Sequence, residues 1–108
     1  MTDQEFQKKA DEAMAELDRT LEKAADEHGF EVDRTGGALS LEFEDPPARF
    51  IVSPNSPVKQ IWVSALTKSF KLDFDEEQNA FVLKETGQTL SQLMSSAIGH
   101  HLGEAVDL

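Results

Sequence analysis

Carboxylates dominate the side chains that could do chemistry in this sequence. Asp11, Asp18, Glu22 and Asp26 recur at steps of seven and four residues. On a helix that turns 100° per residue they fall within an arc of about 80°. Glu31 and Asp33 follow, two residues apart, and so lie on one side of a strand. Together the six predict an acidic ridge across a helix and the strand after it. Exposed carboxylates with no Cys among them suit hard cations with loose geometry. Mutual repulsion raises the gain from a bound cation, and full hydration beforehand keeps that gain small. The expected chemistry is weak, multi-site, salt-sensitive cation binding rather than a caged metal. The plainer alternative is a solvated helix face that keeps the chain soluble.

A second candidate is Trp62, the only tryptophan. It stands in the alternating stretch Gln60-Ile61-Trp62-Val63-Ser64. If the β-branched Ile61 and Val63 face a core, then Gln60, Trp62 and Ser64 face water. An exposed tryptophan between amide and hydroxyl side chains is the residue type that anchors protein interfaces. The three histidines are weaker candidates. His100 and His101 are neighbours, diverge by 100° on a helix and do not share one metal easily. His28 follows Asp26 and Glu27 near the end of the first helix, where a helix-end role is the simpler account.

Nothing in the chain points to catalysis. Gly36-Gly37 stands alone and makes no phosphate loop, and no serine lies in a nucleophile elbow. There are no Glu-x-x-His pairs for a diiron centre. With no cysteine, disulfides, thiolate zinc sites, cysteine nucleophiles and self-ligated iron–sulfur clusters are excluded.

The elements that must position these residues are legible from periodicity. Thr2 to Glu5 has capping-box spacing, and Phe6, Ala10, Met14, Leu17 and Leu21 then form one apolar stripe ending near Gly29. Short alternating segments follow: Phe30 to Asp33, Leu39 to Glu44, Arg49 to Ser53, Gln60 to Ser64, Ser69 to Asp75 and Phe81 to Leu83. Gly36-Gly37 marks a hairpin, and Pro46-Pro47, Pro54 and Pro57 read as breaks. Thr89 to Gln92 repeats the capping-box spacing and opens a second amphipathic helix through Leu102. The predicted fold is α+β: a two-layer sandwich in which an antiparallel sheet of five to six strands is covered on one face by the N- and C-terminal helices. The other sheet face is left to solvent. Residues 1–108 read as a single domain, long enough to bury a core without staples.

Charge narrows the partners. Ten bases against 21 acids give −11, and residues 1–45 carry −9 of it. Such a field repels phosphates, so neither nucleic acid nor an anionic membrane is an expected partner, and cations or basic protein surfaces are. No apolar run approaches membrane-spanning length, and the N-terminus resembles neither a secretory signal nor an Arg-rich transit peptide. The expectation is a soluble internal protein or an already trimmed mature form.

Pro57-Val58-Lys59-Gln60-Ile61-Trp62-Val63-Ser64 resembles the signature strand of frataxins, in which a Pro precedes Gln-Ile-Trp and a small polar residue. The similarity extends over nearly the whole chain: an acidic first helix, Glu31-Val32-Asp33, a Gly-Gly hairpin before Ala38-Leu39-Ser40-Leu41, and a closing helix after Thr86-Gly87-Gln88-Thr89-Leu90. The length and the immediate entry into helix resemble the bacterial, CyaY-type branch. Departures are Ser53 and Asn55 where Asn and Gln are usual, Ala65-Leu66-Thr67-Lys68 where a Gly-containing turn is usual, and Phe81 in place of a frequent Trp.

The resemblance implies a non-catalytic regulator of iron–sulfur cluster assembly that binds iron, Fe2+ or Fe3+, weakly and reversibly. It implies docking on a cysteine desulfurase and its scaffold protein, and a monomer in the absence of iron. The resemblance implies no enzyme; a weak ferroxidase activity would follow by family analogy only and is not the expected main role. The iron ridge carries over to Asp11, Asp18, Glu22, Asp26, Glu31 and Asp33, and the partner face to Asn55, Gln60, Trp62 and Ser64. The implied compartment is the bacterial cytoplasm, or the mitochondrial matrix for a trimmed eukaryotic form. The alternative function is an acidic adaptor that binds a basic protein without metal.

Overall fold

A computed structural model describes all 108 residues. Helix α1 spans Asp3–His28. It starts at Thr2, whose hydroxyl accepts from the Glu5 amide and donates to the Glu5 carboxylate, so Glu5 holds the cap hydroxyl and not the cap backbone. It ends at Gly29, whose φ of +76° closes the helix with an amide bond to the Ala25 carbonyl. Seven strands follow in an antiparallel sheet: β1 Glu31–Thr35, β2 Ala38–Glu44, β3 Pro47–Asn55, β4 Gln60–Ala65, β5 Lys68–Asp75, β6 Ala80–Leu83 and β7 Gln88–Thr89. Each pairs with the next in sequence, so the sheet is an unbroken meander. A short 3-10 turn, Ser56–Val58, links β3 to β4. Helix α2, Leu90–Leu102, closes the chain with a complete Thr89/Gln92 capping box.

Two points correct the expected strand layout. There are seven strands and not five to six, because Gln88–Thr89 adds a two-residue strand on β6. The third strand also runs through both of its prolines. Pro47 pairs with Glu44 of β2 before β4 begins to pair, and Pro54 pairs with Ile61 of β4 after β2 has ended. Each proline therefore sits where the strand has one neighbour, and its missing N–H costs no ladder bond.

One face of the sheet carries the core. Leu39, Leu41, Phe50, Val52, Ile61, Val63, Leu72 and Phe81 are buried against Phe6, Ala10, Met14, Leu17 and Leu21 of α1 and Leu93, Met94 and Ile98 of α2. No polar side chain is buried with them. Truncating any of the large ones to Ala costs about 2–5 kcal/mol. Past Gly103 the chain folds back along α2: the Leu108 amide donates to Ser95 Oγ, and Val106 and Leu108 pack on the core.

Candidate cation and partner surface

The acidic residues gather where the C-terminal half of α1 passes the free edge of the sheet. Strand β1 pairs with β2 alone, so its other edge lies open. The Gly36-Gly37 turn places Glu31 opposite Glu42 and Asp33 opposite Ser40. Glu22 and Asp26 come from the helix, and Glu31, Asp33 and Glu42 from the strands; together they line an open hollow of about 500 Å³. None of these five carboxylates makes an ion pair. Asp33 accepts one hydrogen bond, 2.7 Å from the Thr35 hydroxyl. No three carboxylates or histidines converge closely enough to cage an ion. The hollow can lower the energy of a hydrated cation or a basic side chain by its field, without first-sphere ligation.

The six ridge residues named from sequence are thus divided. Glu22, Asp26, Glu31 and Asp33 share the hollow. Asp18 does not: Arg34 Nη1 stands 3.5 Å from its Oδ2, and its Oδ1 is buried without a partner. Arg34 has the helix-facing parity of Val32 on the edge strand, which is how it reaches α1. Asp11 lies farther along the helix and accepts from Gln7 at 2.8 Å. Glu42 is the member that sequence reasoning missed. Its signal was available, since a two-residue turn at Gly36-Gly37 sets Glu42 across from Glu31. Nearby, the Arg19 guanidinium hydrogen-bonds Glu16 and holds its carboxyl below the ordinary glutamate range, while Glu16 raises Arg19 in return.

The second surface is the open sheet face. Ile61 and Val63 are buried and Trp62 is 37% exposed, the parity expected from their alternation. The ring is anchored rather than free. Its Nε1 donates to Gln60 Oε1 at 3.0 Å, Gln60 Nε2 donates to Asp73 at 3.2 Å, and Lys71 Nζ lies 5.0 Å from the ring centroid. Ser64 is exposed on the same face, and Asn55 pairs with Gln60 across β3 and β4. The four named residues therefore share one face, about an immobilised indole.

Two of the three histidines serve the fold. His28 Nδ1 lies 2.8 Å from Glu104 and ties the returning C-terminal segment to α1. His101 Nε2 lies 2.8 Å from the Pro46 carbonyl, and its ring packs on Phe43 and Phe50. His100 is exposed and makes no side-chain hydrogen bond or ion pair; it lines a groove with Leu93 and Ala97.

Two terminal helices on one face of an antiparallel meander, with an acidic edge beside an open tryptophan face, define a frataxin-like architecture. The model of the frataxin-like domain matches residues 1–104, and the chain belongs to that family. Among its relatives are two proteins named iron–sulfur cluster assembly protein CyaY. The one from Azotobacter vinelandii is 27% identical over 73 residues, 68% of this chain and 66% of that protein. The one from Pseudomonas putida is 29% identical over the same shares. The chain thus aligns with just under two-thirds of each relative's length. Among solved structures, the frataxin of Psychromonas ingrahamii superposes with a TM-score of 0.76 at 26% identity, covering 99% of this chain and 97% of that one. No helix is long and apolar enough to cross a membrane.

Proposed function

We propose that this chain is an iron-binding regulator of iron–sulfur cluster assembly. It captures iron weakly as cargo at the acidic edge and docks through that edge on a basic surface of a cysteine desulfurase and its scaffold. The observation that carries this reading is the hollow of five unpaired carboxylates drawn from α1, β1 and β2. Iron and a basic enzyme surface compete for the same negative charges, so each weakens the other by the same factor. That reciprocity lets a protein without catalytic groups report iron level to an enzyme. Kinship to proteins named for cluster assembly supports the pathway. The Trp62 face, beside Gln60, Asn55 and Ser64, supplies a second contact to the scaffold.

The test is desulfurase binding measured with and without ferrous iron, kept anaerobic, alongside amide NMR of the iron titration. Iron should shift Glu22, Asp26, Glu31 and Glu42 first and should weaken docking. Shifts confined to other regions would sink the site assignment. A second reading, an acidic adaptor that needs no metal, is favoured by the lack of any three converging carboxylates. It predicts docking that weakens with salt and ignores iron.

A further inference from the structure

A groove between α2 and the β4–β5 hairpin stands apart from everything above. It has a volume of about 300 Å³, and its floor and lips are Phe50, Leu66, Phe70, Leu83 and Leu93. In a chain with 21 acids, not one lines it. Its only ionisable residues are Lys68 and His100, and neither makes an ion pair or a side-chain hydrogen bond. Of the other polar lining, Gln88 takes the Thr86 hydroxyl and donates to Ser96 Oγ, and Thr67 at the hairpin tip is the one neutral group left over. Leu66 forms the lip at the hairpin tip, 54% exposed and at φ +58°, a conformation costly for a branched side chain. Glycine or asparagine would relieve that strain, so the leucine side chain is held against the local backbone preference.

We propose that this groove binds a small amphiphilic carboxylate, with its apolar chain against Phe70, Leu83 and Leu93 and its carboxylate between Lys68 and His100. Apolar walls with a few unpaired polar groups at one place are what such ligands need. The unneutralised positive charge in an otherwise acidic molecule selects the anionic head. The volume is at the small end of ligand pockets and suits a short chain rather than a folded partner.

The experiment is amide NMR of the intact chain titrated with octanoate below its micelle concentration, with acetate and octanol as head-only and tail-only controls. Octanoate should shift Leu66 to Phe70 and Leu93 to His100 saturably, at lower concentration than either control. Lys68→Gln should weaken binding about three- to fivefold, the scale of an exposed charge contact, and His100→Gln, which changes a ring hydrogen-bonding group and no formal charge, should weaken it less. Leu66→Gly removes the lip while relieving the backbone, so it should weaken binding without loss of stability. Lys71→Gln, on the other sheet face beside Trp62, should leave octanoate binding unchanged. The proposal is overturned by shifts that never saturate, by octanol matching octanoate, or by Lys71→Gln acting as strongly as Lys68→Gln. It is also overturned if the same amides move on dilution without ligand, since a second copy of the chain then fills the groove.

Discussion

Neutralising Glu42 should weaken cation binding and strengthen the fold at once. Glu42 faces Glu31 across β1 and β2, and directly opposed side chains stand about 5 Å apart at Cβ. A divalent cation between them lies within about 5 Å of both. In water that attraction is worth about 1.7 kcal/mol per carboxylate, and physiological salt roughly halves it, leaving about 1 kcal/mol. Glu42→Gln should therefore weaken ferrous iron or manganese binding about fivefold. Removing a like charge from a facing pair should stabilise the sheet by about 0.5 kcal/mol, or about 2–4 °C in Tm. Asp11→Asn gives the contrast. Asp11 precedes Glu22 by eleven residues, about 16 Å along the helix and two screening lengths away, so its loss should be undetectable. Calorimetry for the cation and a thermal melt for the fold measure both effects. Equal losses from Asp11→Asn and Glu42→Gln would refute the reasoning, because the field would then be diffuse and not centred on the hollow.

Trp62→Ala should cost about 2 kcal/mol in chemical denaturation, because the ring is largely covered despite being 37% exposed; it should weaken scaffold binding more than it weakens iron binding. The Glu16 carboxyl, followed by NMR, should titrate below ordinary glutamate, and Arg19→Gln should bring it back up. Because the folded value is depressed, its contribution to stability is present at neutral pH and fades as pH falls through the ordinary glutamate range towards the folded value. Gly99→Ala should destabilise the protein by about 1 kcal/mol or more, although Ala normally improves a helix interior, since its Cβ would lie 2.9 Å from the Glu104 carbonyl oxygen. In a chain ending at Gly103 the same change should become neutral or stabilising.

The helices and most strands were readable because each repeats one period long enough to be unambiguous. Thr2 and Gly29 bracket α1, and Ile61 and Val63 outvote Trp62 for the core side of β4. The prolines misled for a local reason. Pro47 and Pro54 break a strand that has two neighbours, and here each has one, a fact of sheet order and not of residue type. Strand β7 is too short to show any period. In the acidic site, helix spacing correctly brought Glu22 and Asp26 to one side, yet spacing says nothing of what faces them. Arg34 reaches Asp18 only because β1 is an edge strand beside α1, and Glu42 joins only through hairpin register. The fold-back of Glu104 to Leu108 has no periodic signature, and Gly99 was its one sequence trace.

The meander has a kinetic consequence. Every strand meets its chain neighbour, so the sheet can zip hairpin by hairpin with short loop closures, each of small entropic cost. Neither helix has its apolar stripe covered until several strands are in place, and the C-terminal end of α1 is tied to the returning C-terminal segment when His28 reaches Glu104. Final locking should therefore be a late, non-local event, and mutations at that junction should speed unfolding while leaving the refolding rate nearly unchanged.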